Sequence, residues 1–146
     1  MPYRRILVPV HGNDGDFRAL ELAGVLADKK TSDVTLVYVV EVRQSLPLDA
    51  DIPQAVTAGE VALDRAEQYA RQRAEHKLLR ITPELLQARS AGAAIVDEAI
   101  ERDIDVIVMA SRNRQQMGRV TFGDTVPFIL KNAPCEVILA RAGLAE

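Results

Sequence analysis

The chain has 146 residues, a size typical of one domain, with 18 basic and 21 acidic side chains and a formal net charge of -3. Hydrophobic residues make up 48% and charged residues 27% of the sequence, a balance that excludes an intrinsically disordered protein. The weakly acidic net charge does not indicate the basic surface by which proteins bind nucleic acid, so we expect no nucleic-acid partner. We therefore expect one globular domain, residues 1–146, with its own hydrophobic core.

Cysteine content and hydropathy predict a cytoplasmic protein that is not inserted into a membrane. Cys135 is the single cysteine, so no disulfide can form within the chain, and a reducing compartment is the simplest setting. Residues 1–5 lack the flanks of a signal peptide, and no apolar stretch is long enough to span a bilayer.

The first half of the chain predicts two buried strands, each followed by a connection and a helix. The predicted elements are a strand over 6–10, a turn-rich segment over 11–16, a helix over about 17–29, a strand over 34–40, a loop over 41–53 and a helix over 54–76. Asp16 stands just before the first helical pattern, so it is the predicted N-cap of that helix.

The second half predicts three more strands that alternate with two helices. The predicted elements are a strand within 78–88, a helix over 93–102, a strand over 105–109, a polar loop over 110–122, a short helix over 124–132 and a strand over 136–140. Pro83 lies within the third strand, and proline cannot donate to a central ladder. We therefore expect this strand at an edge of the sheet.

Alternation of strands and helices along the whole chain predicts the fold class. It indicates an α/β protein: a doubly wound, five-stranded parallel sheet of the Rossmann-like kind, with helices on both faces. Such sheets bind ligands at the carboxyl ends of their strands. The loop over 11–16 and the loop over 110–123 are expected to meet there.

Several segments of the sequence resemble the universal stress protein family. The likeness lies in the first strand and turn over 6–13, in Ala19-Leu20, in 105–111, in Gly123, and in the closing segment 130–139, which is the most specific of them. It covers nearly the whole chain. The resemblance implies the same Rossmann-like fold and a site for ATP.

Family members hold ATP with a loop in which two residues separate the first and second glycines, nine separate the second and third, and a serine or threonine follows. Glycines let backbone N–H groups approach the phosphates, and the last pair opens a helix whose positive end favours anions. Here the four positions are Ala110, Asn113, Gly123 and Asp124, so only one residue of the motif is retained. His11 stands where the family usually has aspartate beside the nucleoside.

The departures from the motif differ in their expected effect on ATP. Ala110 adds one methyl group, and Asn113 can still adopt a left-handed backbone. Asp124 puts a carboxylate where a phosphate would lie, and Arg112, Arg114 and Arg119 could offset the resulting repulsion. The candidate nucleotide-binding residues are Pro9, Val10, His11, Gly12, Val40, Ala110, Arg112, Asn113, Arg114, Gly123, Asp124 and Thr125.

Individual residues of these segments have a functional and a plainer interpretation. His11 either contacts a ligand or is an ordinary loop residue; it lacks the nearby nucleophile and orienting group that a catalytic base needs. Asp124 either binds Mg²⁺ or is the N-cap of a helix. Cys135 is expected to be structural. The aspartates at 14, 16, 49 and 51 are expected at the surface and lack metal-ligand spacing, so we predict neither a catalytic nor a metal site.

Three functions remain open from the sequence. The first is a stress-response or regulatory domain that binds a partner or a nucleotide without turnover, with weakened or lost ATP binding. The second is an ATP-binding switch or weak ATPase, and the third is an accessory domain of a membrane transporter. No cofactor is required in the first case, although ATP or another adenine nucleotide remains a possible ligand. The resemblance also implies a homodimer formed through the last strand, with Val137, Ile138 and Leu139 at the interface.

Overall fold

The computed structural model describes residues 3–111, 114–116, 119–121 and 124–141. A parallel sheet of five strands forms its centre. These strands are β1 (Arg5–Pro9), β2 (Asp33–Glu41), β3 (Ile81–Ala88), β4 (Val106–Ser111) and β7 (Glu136–Arg141). They lie in the order β3-β2-β1-β4-β7, and every neighbouring pair is parallel. The predicted doubly wound α/β fold is confirmed.

Proline explains which strand ends the sheet on one side. Pro83 of β3 lies opposite Leu36 of β2, and β3 has β2 as its single neighbour in the sheet. The predicted edge position of this strand is therefore confirmed. The other edge is β7, which pairs with β4.

Within the described residues, four α-helices cover the two faces of the sheet. They are α1 (Gly15–Leu26), α2 (Pro53–Gln68), α3 (Ala91–Glu101) and α4 (Thr125–Asn132). Leu20 of α1 and Leu63 of α2 belong to the apolar core on one face, whereas Ile95 of α3 and Ile129 of α4 belong to the core on the other. Alternate residues of the central strands supply the two cores, since successive side chains of a strand point to opposite faces.

The second helix differs from its prediction at its carboxyl end. After Gln68 the chain makes one π-helical turn, Tyr69–Arg73, in which the N–H of Ala74 donates to the carbonyl of Tyr69 at 2.9 Å. The helical segment thus ends at Arg73, earlier than the predicted end at residue 76. An extra residue in a turn rotates only the side chains that follow it, and here the helix ends within that turn, so the hydrophobic pattern does not reveal it.

The segment after the fourth strand is not the continuous loop that the sequence predicts over 110–122. Ala110 and Ser111 belong to β4. Farther on, β5 (Arg114–Gln116) and β6 (Arg119–Thr121) pair as a short antiparallel sheet, with Gln115 opposite Val120. Strands of three residues are too short to produce a periodic signal, which is why the prediction was wrong.

Candidate ligand-binding cleft

A cleft opens at the carboxyl ends of β1 and β2, beside the first turn of α3. Its volume is about 90 Å³. The residues that line it are Pro9, Val10, His11, Val37, Tyr38, Val39, Ala91 and Ile95. Parallel α/β sheets bind ligands at this end of their strands, because the loops that follow the strands converge there. Three of the residues predicted for the site, Pro9, Val10 and His11, thus meet at this cleft.

The cleft exists because β2 runs farther than β1. Their pairing ends at Pro9 and Val37, and the N–H of Val10 makes one more bond, to the carbonyl of Val37 at 2.8 Å. Along β2, the N–H and C=O of one residue face one neighbouring strand, and those of the next residue face the other. The N–H and C=O of Val37 face β1. Those of Val39, two residues on, therefore point to the same side, just past the end of β1.

The same alternation along β2 distinguishes Val39 from Val40, the residue that the sequence predicted for the site. Val40 is buried, lies opposite Gln87 of β3, and does not line the cleft. Its backbone groups point toward β3, as those of Val42 do when its N–H donates to the carbonyl of Ala88. Sequence reasoning missed Val39 because it did not count on which side of β2 each residue's backbone lies.

A buried carboxylate organises the loop between β1 and α1. Asp16 is only 5% exposed, and its two oxygens accept the N–H groups of His11 at 2.9 Å and Gly12 at 2.7 Å. Asp16 was predicted to be the N-cap of α1 and to lie at the surface, and both predictions were wrong. The helix begins at Gly15, so Asp16 lies inside its first turn and reaches back to the loop.

Burial raises the pKa of Asp16 above its ordinary value. Hydrogen bonds from His11 and Gly12, together with the positive charge that His11 can carry, lower the pKa and offset part of this effect. Desolvation is nevertheless the largest influence on this carboxyl group, because the loop and α1 exclude water from it.

The amino end of α3 forms the third wall of the cleft, and its first N–H groups already have partners. Ser90 is the N-cap, and its hydroxyl accepts the N–H of Ala93 at 3.3 Å. Glu41, the last residue of β2, accepts the N–H of Ala91 at 3.0 Å. The sequence predicted this helix from residue 93. Serine as a helix start signal would have placed it correctly and would have brought Ala91 to the cleft.

The residues at the motif positions are only partly described. Ala110 is the second-last residue of β4 and lies near the first loop: its methyl group would lie 3.7 Å from a β-carbon placed on Gly15. Asp124 is exposed and occupies the N-cap position of α4, as expected, but its side chain makes no capping hydrogen bond. Thr125 is the first residue of α4 and is partly buried. Arg112, Asn113 and Gly123 lie outside the described residues; for Arg114, only the backbone, within β5, is described.

Two observations on the described residues concern metal ligands and the cysteine thiol. No group of three or more histidine, cysteine or acidic side chains there could hold a metal ion. Cys135 is partly buried, and burial raises the pKa of its thiol, which disfavours a reactive thiolate. Among residues 3–111, 114–116, 119–121 and 124–141, no helix is long and apolar enough to cross a bilayer.

Comparison with known proteins decides the family. A sequence profile described as the Universal stress protein family matches residues 2–141. The chain belongs to the universal stress protein family. A universal stress protein of Thermus aquaticus is 31% identical over 143 residues, which cover 95% of this chain and 99% of that protein.

Solved structures of family members share the fold. The universal stress protein UspA of Lactobacillus plantarum is 25% identical and superimposes with a TM-score of 0.73, covering 97% of this chain and 99% of that chain. The universal stress protein of Archaeoglobus fulgidus in complex with dAMP is 22% identical, with a TM-score of 0.69 and coverage of 95% and 98%. The second structure contains an adenine nucleotide bound to that protein.

Proposed function

We propose that this universal stress protein is a regulatory protein that binds an adenine nucleoside or nucleotide in the cleft and does not turn it over. The cleft carries the proposal. It joins an apolar wall, formed by Pro9, Val37 and Ile95, to backbone groups of Val39 at the end of a strand. A flat heterocycle needs this combination: apolar surface against its faces and polar groups placed at its edge.

The small volume of the cleft favours recognition of the base, at one end of the ligand. The cleft, at about 90 Å³, is smaller than the roughly 300–1,000 Å³ of sites that enclose a whole drug-sized ligand. The volume therefore suits a base, while ribose and phosphate extend past His11 toward solvent and toward Ala110. A relative of the same fold is known in complex with dAMP, a monophosphate, and this supports the same ligand class for the present chain.

Polyphosphates are expected to bind more weakly than monophosphates. A carboxylate stands at the start of α4, at Asp124, where the family motif has a hydroxyl that donates to phosphate. A second carboxylate, Glu41, already occupies an N–H at the start of α3. Negative charge at a helix amino end competes with an anionic ligand for the same N–H groups and dipole. This weakening argues for a role without ATP turnover, since phosphoryl transfer needs a well-formed phosphate cradle.

The two edges of the sheet support a homodimer formed through β7. At one edge, β3 carries Pro83, which removes a donor, and the charged residue Glu84. At the other, Val137, Ile138 and Leu139 form an apolar and half-buried run. Natural sheets protect free edges with proline and charge, so the unprotected edge is the one expected to be covered by a second copy.

Calorimetric titration of the purified protein with AMP, adenosine and Mg-ATP tests the ligand assignment. We expect AMP and adenosine to bind, Mg-ATP to bind more weakly, and no ADP to accumulate during long incubation. Ala91→Trp should abolish binding by filling the cleft, whereas Ala58→Trp, on the exposed side of α2, should leave binding unchanged. Binding that survives Ala91→Trp, or nucleotide turnover by the wild-type protein, would overturn the proposal.

A further inference from the structure

The link between Asp16 and the loop before it has a consequence for the cleft. One carboxylate oxygen, Oδ1, accepts the N–H of His11, and the other, Oδ2, accepts the N–H of Gly12. Two adjacent amides are therefore fixed by one rigid, planar group. His11 lines the cleft, whereas Asp16 lies on the other side of the loop, next to α2.

The two hydrogen bonds from the His11 and Gly12 amides to the Asp16 carboxylate are here called the clamp. The loop conformation depends on the clamp because the backbone turns sharply at Gly12. Its φ is 87°, in the left-handed region that side chains other than glycine avoid. A backbone segment in such a turn has no strand partner for its N–H groups, and unpaired N–H groups in a partly buried place are costly. The carboxylate of Asp16 supplies both partners at once, so it stabilises this one path of the chain from β1 into α1.

We propose that Asp16 is the positioning residue of the ligand-binding cleft: by holding the amides of His11 and Gly12 from behind, it fixes where the His11 side chain stands at the mouth of the cleft. The inference rests on the proposed function for its ligand, but its structural part stands by itself. A second consequence concerns specificity. Because Asp16 occupies both amides, the loop after β1 has no free N–H at these two positions to offer to a phosphate.

Charged and aromatic neighbours surround the clamp on its far side. Arg65 of α2 borders the same small cavity as Asp16, and its guanidinium carbon lies 5.8 Å from the centre of the Phe17 ring. His11 is the group whose charge acts on the carboxylate, while Asp14 is exposed at the start of α1. Burial also raises the pKa of Asp16, so acidification should protonate it and loosen the clamp at a pH higher than for an ordinary aspartate.

Amide hydrogen exchange and nuclear magnetic resonance of the wild-type protein and of Asp16→Asn test the positioning role. Asparagine keeps the shape but places an NH₂ group against one of the two N–H donors. We expect the His11 and Gly12 amides of Asp16→Asn to exchange at least about tenfold faster, with protection in β2 and β4 retained, and AMP affinity to fall about tenfold. Asp14→Asn, two residues away and exposed, should change neither quantity.

Wild-type titration keeps the test independent of whether the variant folds. The chemical shifts of the His11 and Gly12 amides should change together with that of the Asp16 carboxyl carbon as the pH falls. The inference would be overturned if the His11 and Gly12 amide shifts did not change with the titration of the Asp16 carboxyl group. It would also be overturned if amide exchange in Asp16→Asn accelerated equally throughout the sheet. If the wild-type protein binds neither AMP nor adenosine, the proposed function fails, while the exchange and titration results still decide the role of Asp16 in the loop.

Discussion

The backbone carbonyl of His76 occupies the space that a β-carbon on Gly24 would need. The segment after the π-helical turn thus packs directly on the backbone of α1, and only glycine permits this contact. Gly24→Ala should lower the free energy of unfolding by about 1–3 kcal/mol, because a backbone atom cannot move aside as a flexible side chain can. Urea unfolding measures the change.

Val25→Ala provides the control for this substitution. Val25 is the next residue of α1 and is 64% exposed, so its replacement should change the free energy of unfolding by less than about 0.5 kcal/mol. Equal stability of Gly24→Ala and the wild-type protein would mean that the His76 segment does not pack on α1 as described.

Topology could be predicted from the sequence because its signals are local. Buried strands such as 6–10 and 34–40 are short apolar runs, and their alternation with helices leaves few possible connections. Pro83 allowed one edge of the sheet to be predicted, because proline has no N–H to donate to the ladder of a central strand. These features do not depend on which distant residues pack together.

The site was harder to predict because its features depend on three-dimensional packing. Asp16 looked like a helix cap, but the fold buries it and turns it toward the amides of His11 and Gly12. Val39 and Val40 have the same side chain, but their backbones face different neighbouring strands, and only Val39 lines the cleft. Such distinctions follow from the register of the sheet, which the sequence alone does not specify.

The buried carboxyl group makes a specific contribution to the pH dependence of stability. Burial raises the pKa of Asp16 in the folded protein above 3.8, its ordinary value. The folded state then binds a proton more tightly than the unfolded state does. The charged form fixes the loop, but its desolvation costs more than its two hydrogen bonds return. The net contribution of this group to stability is therefore fully present below about pH 3.8 and is lost as the pH rises through the raised pKa.

The measurement that checks this sign is the unfolding free energy of the wild-type protein minus that of Asp16→Asn, recorded from acid to neutral pH. This difference should decrease as the pH rises through that window, because the wild-type protein loses stability relative to Asp16→Asn. Asp14→Asn, which replaces an exposed aspartate, should not reproduce the trend. A difference that moves in favour of the wild-type protein with rising pH would contradict the effect of burial.

Assembly through the β7 edge gives a prediction of molar mass. The chain has a mass of 16.0 kDa, so light scattering at micromolar concentration should report twice that value, about 32 kDa. Ile138→Lys introduces a charge into the apolar edge strand and should shift the population toward monomer. Thr82→Lys alters the opposite edge, on β3, and should leave the dimer intact. A wild-type monomer would refute the assembly.

Restoring the phosphate motif should strengthen ATP binding. Asp124→Ser combined with Asn113→Gly removes a carboxylate from the start of α4 and returns a hydroxyl and a glycine to their motif positions. We expect Mg-ATP affinity to rise about tenfold, equivalent to about 1.4 kcal/mol of binding free energy, since the carboxylate is exposed and its repulsion is screened. Calorimetric titration of both proteins provides the comparison, and unchanged affinity would show that Asp124 does not face the phosphates.

Mapping of AMP onto the backbone by nuclear magnetic resonance tests the central claim most directly. Saturating AMP should shift the amide signals of Val39, His11 and Ala91, which surround the cleft, and should leave those of β3 residues such as Thr82 at their free positions. This result would place an adenine ligand at the carboxyl ends of β1 and β2. Shifts that cluster elsewhere, or no shift at millimolar AMP, would contradict the account.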